Sequence, residues 1–522
     1  MTADITSRAF ISMADEGMME MLTGTAIQGL NILGSLFLFV IGAIVALGII
    51  FFIIDTRQTS DAVRRNYPVI GRFRHLFSSL GEFFRQYFFA MDREEMPFNR
   101  AEREYINDIC DDGHETVPFG STKVLGTGAS IFANGLFPKL EGEHQTLPPI
   151  TIGPKAKHPY QPSSFFNISA MSYGSLSKPA IQALSHGAQM SGCWLNTGEG
   201  GVSPYHLEGG CDIVYQLGTG KFGARNDDAT LNSEKLAKIC ENPKIKMIEL
   251  KLSQGAKPGK GGILPASKVT DEIAAIRGIP KGKDAISPNR HVDAGSNDEL
   301  LDLITKVRVV SGRPVGIKFV IGNIEPIVSL LEAIAKRGID SAPDYISLDG
   351  GDGGTGAAPL PLIDNMGMTI RESLPLMDDL LRKHGLRDRI VLMAAGKLAT
   401  PADIAWAFCA GADFVSSARG FMFSLGCIQA LKCDENTCPT GITTHDKRLQ
   451  RGLDPSNKAV RVMRYAKTIR KEVEMIAHSC GVDHPRQLTR DHVLIVQADG
   501  RPRPLSDVWI DRQKAIAADE VN

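Results

Sequence analysis

Eight short apolar or β-branched runs, most of them separated by helix-like segments, constrain this chain more than any other feature. The runs cover residues 165–170, 194–197, 247–252, 285–287, 315–320, 345–348, 390–394 and 414–417. Between them lie patterns such as SKPAIQALSHGAQMSG, SNDELLDLITKVRVVSG and TPADIAWAFCAGA. Strand–helix alternation calls for parallel pairing through right-handed crossovers. Eight such units match the size of a (β/α)8 TIM barrel, about 250 residues, so the predicted class is α/β. The long gap between the second and third runs predicts an insertion there. In a barrel the chemistry belongs at the C-terminal ends of the strands, and the most unusual residues of this sequence fall at those ends.

A second feature sits outside the barrel. Residues 29–54, GLNILGSLFLFVIGAIVALGIIFFII, carry no charge, and a bilayer core needs about 20 apolar helical residues. The start of the chain is acidic (Asp15, Glu16, Glu20) and the run is longer than a signal-peptide core, so a transmembrane helix is expected. Arg57, Arg64, Arg65, Arg72 and Arg74 follow the span and only Arg8 precedes it. That asymmetry predicts a single-pass protein of the cytoplasmic membrane, with its catalytic domain facing the cytoplasm. The expected order is an N-terminal tail (1–28), the span (29–54) and a basic, aromatic juxtamembrane segment (55–95). An extension (96–150), the barrel (151–450) and a short C-terminal extension (451–522) follow. The juxtamembrane segment reads either as an interfacial helix or as a helix packed on the soluble domain.

Net charge is −1, and no long basic run suggests a nucleic-acid partner. Nine cysteines in 522 residues do not form a disulfide framework. Three of them, Cys427, Cys433 and Cys438, lie close together in GCIQALKCDENTCPTG. Thiolates at that spacing can hold iron, and three rather than four point to a three-iron cluster or an open-iron site. The loops after the last two runs, AAGKLATP and SSARGF, carry Gly396, Gly420 and Arg419, suited to a phosphate at the barrel mouth. Lys318, in the fifth run, places a cation in that mouth, where it would stabilise a reduced flavin. The loop KLSQGAKPGKGG offers Lys251, Gln254, Lys257 and Lys260 to a dicarboxylate. In NTGEGG, Glu199 is a candidate for proton transfer. GTGKFG (218–223) matches a dinucleotide fingerprint, but among 52 glycines a chance match is expected. GAKPGKGG departs from a P-loop because Gly261 follows the lysine.

Taken in order, SAMSYGSLS, NTGEGG, KLSQGAKPGKGG, LDGGDGGTGAAP, GLRDRI and GCIQALKCDENTCPTG resemble the FMN-binding synthase domain of glutamate synthases. The resemblance implies FMN at the barrel mouth, surrounded by Met171, Ser172, Lys318, Gly353, Gly354, Gly396, Ser417 and Arg419. It implies a 3Fe-4S cluster on Cys427, Cys433 and Cys438, from which electrons pass to FMN. Reduced FMN would then reduce the imine of 2-oxoglutarate and ammonia, or an amine, to glutamate or an N-alkylglutamate. Lys251, Gln254, Lys257 and Arg277 would bind the substrate carboxylates, and Glu199 would serve imine formation, with Glu199, Lys251 and Lys257 the catalytic set.

The departures are specific. No N-terminal glutaminase domain with a cysteine nucleophile appears, so ammonia would come from solution or from a glutaminase partner. No NAD site appears, so the electron donor would be a ferredoxin-like protein or a membrane carrier. Ile263 stands where the family has a glutamine. A membrane-linked flavin dehydrogenase that oxidises a small acid and reduces quinone is the alternative enzyme, and a non-catalytic tethering subunit the alternative to an enzyme.

Overall fold

The computed structural model describes residues 3–511, apart from residue 59, residues 85–87, 89–90 and 112–115, and residues 141, 144 and 146. The chain divides into two compact units, Met1–Asn99 and Arg100–Asn522.

The first unit begins with one long helix, Ala3–Arg57. Its stretch Gly24–Arg57, 34 residues, is long and apolar enough to cross a membrane, and the most apolar part of it is not buried. The helix ends at a polar knot. The Asp55 carboxylate accepts from Arg64 Nη2 at 2.7 Å, from Arg72 Nε and Nη2 at 2.8 and 2.7 Å, and from the Val69 N–H at 3.1 Å. Arg72 also lies over the Phe51 ring, 4.1 Å from its centroid. Beyond the knot, helix Gly71–Phe84 carries Phe73, Leu76, Phe77, Leu80 and Phe84 along one side, all of them exposed.

The second unit is a closed, all-parallel barrel of eight strands. They are β1 (Phe166–Ile168), β2 (Leu195–Asn196), β3 (Ile213–Leu217), β4 (Ile245–Lys251), β5 (Val315–Phe319), β6 (Tyr345–Asp349), β7 (Val391–Ala395) and β8 (Phe414–Ser417). β8 pairs with β1 and closes the ring, with Val415 opposite Phe166. The strands read as near-continuous apolar runs because helices cover the outside of the ring while side chains fill its inside. The eight-stranded α/β barrel expected from the alternation is therefore present.

Two expectations about its strands are corrected. The gap between the second and third runs holds a barrel strand, β3, not an insertion. Run 285–287 is not in the barrel: Ala285–Ile286 pairs antiparallel with Ile263–Leu264 in a hairpin. The insertion thus lies between β4 and β5. It consists of this hairpin and helix α1 (Asp271–Arg277), ahead of the crossover helix α2 (Asn297–Ser311). Lys318 still lies on the fifth strand, because the strand that was missed and the one misassigned cancel in the count.

Segments flanking the barrel join one another. Ser130–Phe132 pairs antiparallel with Val493–Val496, which pairs in turn with Pro502–Pro504. Helix α3 (Pro455–Ser479) buries Val462, Tyr465, Ala466, Ile469 and Val473. Its Arg461 donates to the Ser424 carbonyl at 2.8 Å and pairs with Asp111, tying the far end of the chain to the segment ahead of the barrel.

Candidate active site

The polar loops cluster at the C-terminal ends of the strands. Glu199, in the turn after β2, is the hub. Its carboxylate lies 3.3 Å from Lys251 Nζ at the end of β4. Burial would push that carboxyl up, but Lys251, Lys257 and Arg277 outweigh it and hold it below the ordinary glutamate value. Two glycines form the slot it occupies. A methyl group on Gly262 would stand 2.1 Å from Glu199 Oε1, and one on Gly218 would stand 2.6 Å from Cβ and Oε2. Gly218 of the GTGKFG string therefore has a steric role.

The cations around Glu199 are all buried. Lys251 Nζ donates to Gln254 Oε1 at 2.5 Å, and the other side of that amide, Gln254 Nε2, is buried without a partner. Lys257 Nζ donates to the Ala357 carbonyl at 3.0 Å. Burial lowers the Lys257 ammonium, with Glu199 opposing the shift. Arg277 closes α1, which Thr270 caps at its start and Gly278 ends. Its Nη2 donates to the Tyr173 carbonyl at 3.3 Å, its guanidinium stands 5.2 Å from the Phe222 ring centroid, and burial pulls it down to about 10. Glu199, Lys257 and Arg277 line one cavity of about 60 Å³ together with Ser172, and Phe222, Ile263, Leu264 and Pro265 give it an apolar wall.

Candidates for the cofactor pocket ring the barrel mouth next to this cavity. Met171 and Ser172 follow β1, and the Met171 N–H donates to the Asn196 carbonyl at 3.1 Å. Lys318 ends β5, 3.7 Å from Asp349 on β6. Asp349 also accepts from the Gly255 N–H at 3.0 Å, which links Lys318 to the lysine-rich loop. Gly353 and Gly354 lie in the turn after β6, Gly396 after β7 and Ser417 at the end of β8. Arg419 reaches back across the mouth to donate to the Asp352 carbonyl at 2.7 Å, and burial lowers its guanidinium. Beneath them a smaller cavity of about 10 Å³ in the barrel interior is lined by Lys318, Ser169, Asn196, Glu249, Ser347 and Ser416 among others. Of these mouth residues only Ser172 lines the larger cavity.

A model of the conserved region in glutamate synthase matches residues 138–483. The chain belongs to the glutamate synthase family. It is 38% identical over 515 residues to the glutamate synthase large subunit-like protein YerD of Bacillus subtilis, covering 90% of this chain and 97% of that one. It is 35% identical over 317 residues to the archaeal-type glutamate synthase [NADPH] of Thermotoga maritima, covering 60% of this chain but 59% of that relative's length. Among solved structures, a mandelate oxidase with (S)-4-hydroxymandelic acid is similar at 14% identity and a TM-score of 0.43, covering 76% of this chain and 97% of that one.

The family's three cysteines lie on the loop after β8, and all are free thiols. Cys433 lines the larger cavity. Burial pushes the Cys427 thiol up to about 12. Burial also acts to raise Cys438, but Thr440, 3.3 Å away, and Thr443 outweigh it and hold that thiol below its ordinary value. Among the described residues, no three His, Cys, Asp or Glu side chains converge on a point suited to one metal ion.

Several residues at the site are absent from any sequence-based expectation. His291 is buried and its Nε2 lies 3.0 Å from the Lys251 carbonyl, bracing the end of β4. Asp349 bridges the two halves of the site, and Lys268 bridges the cavity to the cysteine loop. Asp349 lies within the quoted LDGGDGG string, where only the glycines drew notice. Lys268 and His291 carry no local signal.

Proposed function

We propose that this chain is an FMN- and iron–sulfur-dependent oxidoreductase, acting on CH–NH2 chemistry, that reductively aminates a 2-oxo dicarboxylic acid to glutamate or an N-alkylglutamate. The observation that carries this reading is the single cavity shared by Glu199, Lys257, Arg277 and Cys433. It brings cations for carboxylates, one ionised carboxylate and the cysteine loop into one space at the barrel mouth.

The residues suit both groups. Lys318 and Arg419 bring two cations to the mouth, one for an electron-rich ring and one for a phosphate. Free Cys427, Cys433 and Cys438, with the Thr440 and Thr443 side chains beside them, would suit an iron–sulfur cluster, a group larger than one metal ion. Such thiolates need not crowd to the reach of about 2.3 Å that a single zinc would impose. When bound, FMN supplies hydride transfer and the cluster supplies single-electron transfer.

The chain's own residues would then divide the work. Arg277 and Lys257 bind the carboxylates of the oxo acid by charge-assisted hydrogen bonds. Lys251, held by Gln254, keeps Glu199 ionised, so that it can hold an incoming ammonium or alkylammonium ion as its counter-ion beside the oxo acid. Phe222, Ile263, Leu264 and Pro265 exclude water and give an alkyl substituent a surface to contact. The electron donor is a separate protein or a membrane carrier.

For location, we propose that residues 29–54 span the cytoplasmic membrane and that the Asp55 knot just after them sets helix Gly71–Phe84 in the headgroup region, apolar side inward. The arginines after the span favour a cytoplasmic catalytic domain.

The test uses the detergent-purified full chain. FMN and iron are quantified, the protein is chemically reduced, and 2-oxoglutarate is added anaerobically with ammonium or methylamine. The expected result is flavin reoxidation with stoichiometric amino acid. Bound FMN that stays reduced with both amines would overturn the proposal.

A further inference from the structure

Lys268 is 2% exposed, on a single 3-10 turn, Ala266–Lys268, of the β4–β5 insertion. Its Nζ donates to the Cys433 carbonyl at 2.6 Å and to the Thr443 carbonyl at 2.8 Å. Among the described residues no carboxylate pairs with it. A desolvated ammonium costs several kcal/mol unless an anion lies near, and two neutral carbonyls return only part of that. The groups near it that can carry negative charge are the Cys433 and Cys438 thiols and Asp434. The cation is thus buried where negative charge arrives only once the cysteines are thiolates holding a cluster. Lys268 also lines the cavity shared by Glu199, Lys257 and Arg277, and α1, which ends in Arg277, starts three residues after it.

We propose that Lys268 is a positioning residue for the cluster: its fixed charge raises the cluster's reduction potential, and its two hydrogen bonds pin the cysteine loop to the wall of the substrate cavity. The inference rests on reading Cys427, Cys433 and Cys438 as cluster ligands. The step concerned is a one-electron reduction of the cluster by the external donor, and it neither breaks nor protonates any bond at Lys268. A nearby cation favours the more negative, reduced state, and net charge is among the main determinants of such potentials.

The test compares Lys268→Gln and Lys268→Arg with the wild type as full-length, detergent-purified holoproteins. Iron and acid-labile sulfide are assayed first, and the midpoint potential is then followed by EPR during reductive titration. Lys268→Gln keeps a hydrogen-bond donor but loses the charge. It should shift the reduction equilibrium roughly tenfold toward the oxidised form, about 59 mV for one electron. Lys268→Arg should restore the wild-type midpoint. An iron-loaded Lys268→Gln with an unmoved midpoint would overturn the proposal. So would an iron-loaded Lys268→Arg displaced tenfold, a result that stands even if the glutamine variant does not fold. Wild-type protein without iron would instead refute the cluster reading itself, before any variant is made.

Discussion

Glu199→Gln is the substitution that most directly tests the electrostatics of the site. Glutamine is nearly isosteric, so it fits the slot between Gly218 and Gly262 and removes only charge. It leaves Lys251, Lys257 and Arg277, all buried, without their shared anion. Breaking a fully enclosed pair costs about 3–5 kcal/mol. Here the carboxylate side chain is 19% exposed and the lysine 11%, so solvent screening reduces the expected loss to about 1–3 kcal/mol at pH 7. The pH dependence gives the sharper criterion. A carboxyl held below its ordinary value of 4.5 contributes stability fully above that pH and loses it as pH falls through the folded value. Glutamine does not titrate. The stability gap between wild type and variant should therefore be constant above about pH 5.5 and shrink in acid. The assay is urea unfolding in detergent, followed by the fluorescence of Trp194 and Trp406, both buried in the second unit. A dicarboxylate such as 2-oxoglutarate should stabilise the variant more than the wild type, since it no longer competes with Glu199 for the cations. A variant as stable as wild type at pH 7, or a gap that persists unchanged at pH 4, would refute the reasoning.

Other consequences are simpler. In iron-free protein Cys438 should alkylate faster at pH 8 than Cys427, because one thiol is held below its ordinary value and the other is pushed up to about 12; mass spectrometry of the peptides gives the order, and faster labelling of Cys427 would contradict it. Asp55→Asn should loosen the knot at the end of the long helix, because it removes the charge that assists the Arg64 and Arg72 hydrogen bonds. Trypsin cleavage after Arg64 and Arg72 should then accelerate roughly tenfold or more, and an unchanged digestion rate would argue against the knot. Ile263→Gln restores the family residue at the wall of the cavity. It should lower KM for the oxo acid about fivefold, the worth of one ordinary hydrogen bond, and an unaltered KM would remove Ile263 from the list of specificity determinants.

What the sequence made legible, and what it hid, follows from the range of the interactions involved. Seven of the eight barrel strands were readable because each is a local apolar run. β3 was not, since Gln216 interrupts its run. That residue is tolerated inside the barrel because its amide donates to Glu249 Oε1 at 2.6 Å, a partner on the next strand. Run 285–287 has the right composition for a barrel strand, but its partner, Ile263–Leu264, belongs to the insertion. The span was readable from composition, while the Asp55 knot joins residues 9 and 17 positions apart, a separation no helical or strand period marks. The cysteine triplet and the lysine-rich loop announced themselves by spacing and charge. That Glu199 sits among three cations could not be foreseen, because those cations come from the end of β4, the loop after it and the end of α1. The segment between β4 and β5 supplies Lys257, Lys268 and Arg277, and Lys268 lies in a short stretch that looks like solvated surface when read alone. The barrel sets where chemistry can occur, but the segment between β4 and β5 supplies the cations that line the cavity and the charge beside the cysteine loop. Relatives that share the barrel and differ in this segment should therefore differ together in the charge that lines the cavity and in the charge beside the cysteine loop.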